Sequence, residues 1–132
     1  MPLEVTTMTL MQRHFHTDDL KLHYAEGPAQ GQPVVFLHGT VSRWQLWLSV
    51  LPALAEQTHV FALDARGYGT SGRSPQQWYH YLDFVHETAH FLRGAVREPA
   101  VLIGHSRAPP WRWPLPSRPQ SWSKGYSFRS PP

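Results

Sequence analysis

A short apolar run that ends in a glycine and a serine constrains this chain more than any other feature. Residues 100–103 read Ala-Val-Leu-Ile, and Gly104-His105-Ser106 follows directly. The run predicts a buried strand, and Gly-x-Ser after a strand is typical of a sharp turn into a helix that leaves the serine hydroxyl exposed. Gly104 leaves room for that turn, because a Cβ would meet the neighbouring backbone. We therefore expect Ser106 at the carboxyl edge of a central strand.

The chain before this run alternates predicted strands with predicted helices. Strands are expected at residues 9–15 and 20–26, joined by a polar turn, and continuous apolar runs predict buried strands at 34–37 and 59–63. Strands that are apolar on both faces are typical of parallel sheets covered by helices. The pattern therefore predicts an α/β fold.

Two helices are expected between these strands. The first covers residues 44–56, where Pro52 is compatible only with a regular helix that begins near it. The second covers residues 78–92, and Gly94 is its expected end. The apolar side chains of the second helix fall on one stripe: Trp78, Leu82, Val85, Ala89 and Leu92.

Length and composition exclude several classes of protein. The 132 residues suffice for one domain, and the absence of cysteine excludes disulfides and thiolate metal sites. Residues 1–5 show no signal-peptide pattern, and no apolar run approaches the roughly 20 residues that span a membrane. We therefore expect a cytoplasmic protein with no membrane partner.

The positive charge of the chain is confined to its last residues. The net charge is +3, but residues 1–107 hold eight Lys and Arg against nine Asp and Glu. Residues 108–132 hold four basic residues and no acidic one. The charge of the body therefore gives no reason to expect a nucleic-acid partner.

Four motifs together give residues 9–107 a family resemblance. In order and spacing, this part of the chain resembles the N-terminal half of the α/β-hydrolase fold family, in its serine-nucleophile branch. The resemblance implies a sheet of strand order 1-2-4-3-5 with an antiparallel first pair, so that residues 1–107 are part of an α/β-hydrolase domain. The motifs are His38-Gly39, Asp64-x-Arg66-Gly67-x-Gly69-x-Ser71, Asp83-Phe84-Val85 and Gly104-His105-Ser106.

The resemblance also implies roles for individual residues. Ser106 becomes the nucleophile at a nucleophile elbow, and the backbone N–H groups of Thr40 and Arg107 become the oxyanion hole. The alternative is a turn serine that has no role, but the strand before Ser106 and the family resemblance favour the nucleophile. The resemblance gives the remaining residues supporting or architectural roles in these loops: His38, Gly39, Gly104, His105, Asp64 and Arg66.

The activity implied by the resemblance is that of a serine hydrolase without metal or organic cofactor. It would act through an acyl-enzyme on a small carboxylic ester or lactone, while perhydrolase and C–C bond hydrolase chemistry stay open. Serine at position 106 argues against the epoxide-hydrolase and haloalkane-dehalogenase branches, whose nucleophile is a carboxylate. Nothing in the sequence indicates an oligomeric state.

The family places the acid and the histidine of the triad after the serine. In this chain the last acidic residue is Glu98 and the last histidine is His105, both before Ser106. We therefore expect a truncated hydrolase domain, with little or no hydrolysis by the chain itself. A non-catalytic remnant or an interaction protein is the alternative.

The composition changes abruptly after Arg107. Residues 108–132 hold seven of the thirteen prolines and three of the six tryptophans, where the family would place an apolar helix. Regrouping the codon bases of residues 110–114 by one position gives Leu, Met or Val alternating with Ala or Glu, as such a helix requires. We interpret this tail as a shifted reading frame or a sequence error; a disordered proline-rich tail is the alternative.

One motif suggests a different class of enzyme. His86-Glu87-Thr88-Ala89-His90 matches the H-E-x-x-H signature of zinc-dependent hydrolases. A catalytic zinc needs a third protein ligand, and residues after this helix offer only Glu98 and His105. The interpretation as two solvent-facing histidines is therefore preferred, and no metal site is predicted.

Overall fold

A computed structural model describes residues 10–39 and 42–105, which form one five-stranded mixed sheet. Thr40, Ser106, Arg107 and the tail at 108–132 lie outside the described residues. The strands are β1 (Met11–His16), β2 (Lys21–Glu26), β3 (Gln32–Leu37), β4 (Thr58–Leu63) and β5 (Val101–Gly104).

The strand order is β1-β2-β4-β3-β5. The β1–β2 and β2–β4 pairs are antiparallel, and β3 pairs in parallel with both β4 and β5. The α/β fold, the strand order and the antiparallel first pair are therefore confirmed.

The sheet is buried on both faces at its centre. Four of the six residues of β4 and five of the six of β3 are buried, as their continuous apolar runs predict. One face packs around Phe61 and Phe91, and the other around Phe36 and Leu51. Leu37 pairs with Leu63 on one side and with Gly104 on the other. The carboxyl ends of β3, β4 and β5 therefore meet at one edge of the sheet.

The first predicted helix is shorter than the apolar pattern indicates. A 3₁₀ turn covers Trp44–Trp47, and helix α1 covers only Leu51–Ala55. Pro52 lies in the first turn of α1, which is where its missing N–H is tolerated. The prediction that regular helix begins near Pro52 is therefore confirmed, but the continuous helix from residue 44 is wrong.

The second helix, α2, covers Tyr81–Phe91 and begins three residues later than predicted. Ahead of it, the Trp78 N–H donates to the Ser74 hydroxyl (2.9 Å), and the Trp78 carbonyl accepts from Arg66 (2.9 Å). These bonds hold the backbone at Trp78 out of the helix. Trp78 is 49% exposed and Leu82 is 45% exposed, so neither belongs to the buried stripe.

Gly94 does not end the helical segment. A π-helical turn continues over Leu92–Val96 and ends at Arg97, whose φ of 61° is left-handed. A Cβ on Gly94 would lie 2.5 Å from the ring of Phe15. The glycine is therefore explained by close packing against β1 rather than by helix termination.

In the part of the chain that the structure describes, none of the helices has the length and apolar character needed to cross a membrane.

Candidate active site

Three polar residues follow directly on the converging strand ends. His38 follows β3, Asp64 follows β4 and His105 follows β5. The His105 N–H donates to the Leu37 carbonyl (3.1 Å), which extends the parallel pairing one residue beyond β5. The pairing therefore reaches His105, the last described residue of this segment.

His38 is buried and makes two hydrogen bonds to the backbone. Its Nε2 accepts from the Ala65 N–H (3.0 Å), and its Nδ1 lies 2.7 Å from the Gly39 carbonyl. A backbone N–H can only donate, so Nε2 is the acceptor and the ring proton is on Nδ1. Burial lowers the pKa of His38, although the Gly39 carbonyl and the charge of Asp64 partly oppose that effect. The ring is therefore neutral.

Asp64 holds three separate segments on one buried carboxylate. Oδ1 accepts from the Trp44 N–H (2.7 Å). Oδ2 accepts from the Thr70 N–H (3.2 Å) and lies 3.0 Å from Nδ1 of His23. Gly69 has a φ of +54°, and a Cβ there would overlap this carboxylate. The glycine of the loop motif is therefore required both by its backbone conformation and by Asp64.

Two residues of this network, His23 and Gln12, stand in none of the four motifs. His23 lies on β2 within a buried run, and its Nε2 is 2.9 Å from Oε1 of Gln12. The Ser71 hydroxyl donates to the Asp64 carbonyl (2.6 Å) and accepts from the His23 N–H (2.8 Å). A polar residue in an apolar strand must find buried partners. That signal could have identified His23.

Arg66 joins three other segments. Its Nε donates to Glu87 on α2 (2.9 Å), and its two terminal nitrogens donate to the Asp19 carboxylate (3.1 and 3.2 Å). The Arg66 N–H also donates to Glu87 (3.1 Å). Burial raises the pKa of Glu87 to about 7, against the opposing charge of Arg66. Arg66 therefore braces the β1–β2 turn, α2 and the loop before α2.

The same contacts bear on the zinc alternative. Both oxygens of Glu87 are occupied by Arg66, so this carboxylate does not face solvent as a general base would. His86 is exposed, whereas His90 packs edge-on against Phe15 at 5.3 Å between ring centroids. Among residues 10–39 and 42–105, no group of three or more candidate ligands could hold a metal ion. The geometry therefore favours a structural interpretation of this motif.

Trp47 forms an aromatic contact beside the end of β5. Its ring lies 5.0 Å from that of Phe36 and 6.2 Å from that of His105, in the latter case edge to face. The indole N–H is buried and has no hydrogen-bond partner within the described part of the chain. The motifs did not point to this residue.

The strand order and the edge geometry agree with comparisons to known proteins. A family model described as the alpha/beta hydrolase family matches residues 34–108. The chain therefore belongs to the α/β-hydrolase family.

The chain is similar to several hydrolases. Epoxide hydrolase B of Mycobacterium tuberculosis is 32% identical over 111 residues, covering 80% of this chain and 31% of that protein. A haloalkane dehalogenase of Bradyrhizobium diazoefficiens is 30% identical over 106 residues, covering 80% and 34%. The chain thus spans about a third of the length of these relatives.

The chain is also similar to solved structures of other proteins. An epoxide hydrolase from Vigna radiata superposes with a TM-score of 0.67 at 25% identity, covering 74% of this chain and 31% of that chain. A membrane phospholipase A, a bacterial virulence factor, gives a TM-score of 0.70 at 28% identity, covering 74% and 32%.

Proposed function

We propose that residues 1–107 are the part of a serine-hydrolase domain that carries the nucleophile, Ser106, and one side of the oxyanion hole. The observation that supports this most is the 3.1 Å bond from the His105 N–H to the Leu37 carbonyl. It brings the residue before Ser106 beside the strand that leads into His38-Gly39. Nucleophile and oxyanion loop must be neighbours in this way for acyl transfer.

In the proposed reaction the Ser106 hydroxyl oxygen attacks the carbonyl carbon of an ester or lactone. The backbone N–H groups of Thr40 and Arg107 stabilise the oxyanion, each by about 3 kcal/mol. The serine proton passes through a histidine to the leaving alcohol, and water then hydrolyses the acyl-enzyme to the acid. The 132 residues contain no histidine or acidic residue after Ser106. We therefore expect this chain alone to acylate slowly.

The ester assignment follows from the chemistry of the nucleophile. A carboxylate that opens an epoxide or displaces a halide forms an ester, which water can cleave. A serine hydroxyl in the same reaction would form an ether, which water does not cleave, so turnover would stop. Serine at 106 therefore favours acyl substrates, although two of the similar proteins are named epoxide hydrolase and haloalkane dehalogenase. The similar phospholipase A supports ester chemistry in a neighbour of this fold.

The proposal is tested by covalent labelling of the full chain with a fluorophosphonate, alongside p-nitrophenyl acetate turnover. Wild type should be labelled slowly at Ser106, and Ser106→Ala should abolish the label. In this chain only the oxyanion hole and substrate binding contribute to catalysis. Turnover of p-nitrophenyl acetate should therefore exceed the rate in water by no more than about 10³–10⁴-fold. Labelling that persists in Ser106→Ala, or no labelling at all, would favour a non-catalytic protein.

We also propose that residues 108–132 do not belong to the hydrolase domain. The family match ends at residue 108, where the proline-rich composition begins. Reading the source DNA beyond the Arg107 codon tests the frameshift. A shifted frame that continues into a strand–helix pattern supports it, and an open frame without such a pattern favours a true tail.

A further inference from the structure

His38 is the side chain that ties two of the converging strand ends together. Its Nε2 accepts from the Ala65 N–H after β4, and its Nδ1–H donates to the Gly39 carbonyl after β3. A ring that must accept at one nitrogen and donate at the other can do both only as the neutral Nδ1–H tautomer. Both partners are backbone groups, so the ring fixes the course of the main chain.

The Gly39 carbonyl belongs to the peptide unit that contributes the N–H of Thr40. A peptide unit is planar, so fixing its carbonyl oxygen also fixes the direction of its N–H. Gly39 has no side chain to restrict its rotation. An oxyanion donor is effective only if its direction is set before charge develops. The bond from His38 supplies that restraint.

We propose that His38 is the positioning residue of the oxyanion loop, active as the neutral Nδ1–H tautomer and released in acid. This rests on the proposed function, because it takes the Thr40 N–H as an oxyanion donor. Protonation would place a hydrogen on Nε2 facing the Ala65 N–H. Two donors cannot bond, so the ring must turn away and free the Gly39 peptide.

The groups around the His38 ring determine the direction in which its pKa is shifted. Among the described residues, the titratable groups facing the ring are Asp64, after β4, and Tyr68, whose ring centroid is 5.5 Å away. Burial is the larger effect and places the pKa of His38 below 6.5, with the charge of Asp64 opposing it. The release therefore belongs to a pH below the ordinary imidazole range and not to neutral pH.

Two substitutions separate the two bonds. In His38→Asn the amide nitrogen can lie near the Nδ1 position and still donate to Gly39, whereas the bond from Ala65 is lost. In His38→Gln the amide oxygen can lie near the Nε2 position and still accept from Ala65, whereas the bond to Gly39 is lost. The readouts are the rate of fluorophosphonate labelling of Ser106 in the full chain and the urea midpoint.

His38→Gln should slow labelling about tenfold more than His38→Asn does, because it alone releases the oxyanion loop. The two variants should lose similar stability, since each loses one buried bond. In wild type the labelling rate should fall as the pH drops below 6.5. Both variants lack a titrating ring at position 38, so their labelling rates should fall less steeply with pH than that of wild type. Equal labelling rates in the two variants would overturn the positioning role.

A second measurement does not depend on activity. Imidazole ¹⁵N shifts of wild type near neutral pH should show the proton on Nδ1, and the Gly39 carbonyl ¹³C shift should titrate together with the ring. A proton on Nε2, or a Gly39 carbonyl that does not follow the ring, would also overturn the inference. If Ser106→Ala retains the label, the proposed function fails instead, and the shifts still decide whether His38 holds Gly39.

Discussion

The Glu87 carboxylate is buried and accepts hydrogen bonds from Arg66 at both oxygens. These two features shift its pKa in opposite directions. The side chain is on the buried face of α2, and burial raises its pKa from 4.5 to about 7 despite the charge of Arg66. Between these two values the folded protein binds more protons than the unfolded chain. The free energy of unfolding should therefore fall as the pH rises through this range.

We expect Glu87→Gln to remove this pH dependence. Relative to the variant, wild type should lose about 3 kcal/mol of unfolding free energy between pH 4.5 and pH 7, from the ordinary and raised pKa values. Urea unfolding at several pH values measures the difference between the two proteins. Glu98→Gln, at an exposed carboxylate, is the matched control and should follow wild type. A variant that parallels wild type would show that burial does not dominate at Glu87.

Gly69 is the second residue whose substitution should measurably lower the stability of the fold. Its left-handed φ and the Asp64 carboxylate both exclude a Cβ. Gly69→Ala should therefore destabilise the fold by about 2 kcal/mol or more, as expected for strain at a positive φ with a steric clash. Gly72→Ala is the control, because a Cβ at Gly72 comes no closer than 3.3 Å to its neighbours. Similar urea midpoints for the two variants would contradict this account.

Among the elements, the strands were predictable and the helix limits were not. Continuous apolar runs identified β3, β4 and β5, since a strand buried on both faces leaves a plain signal. The start of α2 depends on two hydrogen bonds at Trp78, whose N–H donates to the Ser74 hydroxyl and whose carbonyl accepts from Arg66. Neither bond leaves a periodic pattern in the sequence. Gly94 resembles a helix end in the sequence, but in the structure it allows close packing against Phe15 on β1, nearly 80 residues earlier in the chain.

The segment before α2 gives an element-scale test of Arg66. Arg66→Ala would leave the buried Glu87 carboxylate without its partner and free the Trp78 carbonyl. Above pH 7, where Glu87 is ionised in wild type, the loss should be about 3–5 kcal/mol of stability. Chymotrypsin should then cleave faster after Trp78 or Tyr79, whose side chains are exposed. Arg73→Ala, at an exposed arginine, should change neither. Cleavage at the wild-type rate in Arg66→Ala would contradict the bracing role.

For the whole molecule, motifs located the strand ends but not everything that supports them. His38, Asp64 and Arg66 stand in recognisable patterns, because each follows a strand at a fixed spacing. His23 and Asp19 do not, since they meet Asp64 and Arg66 only when β2 pairs with β4. Contacts that depend on strand pairing between distant parts of the chain leave no local trace in the sequence.

The three-way attachment of Asp64 has a consequence for how the molecule fluctuates. The amides of Trp44 and Thr70 share one buried acceptor, although 26 positions separate them along the chain. Neither segment can detach without leaving the carboxylate short of a partner. In deuterated buffer the two amides should therefore exchange with the same opening free energy, as members of a single cooperative unit.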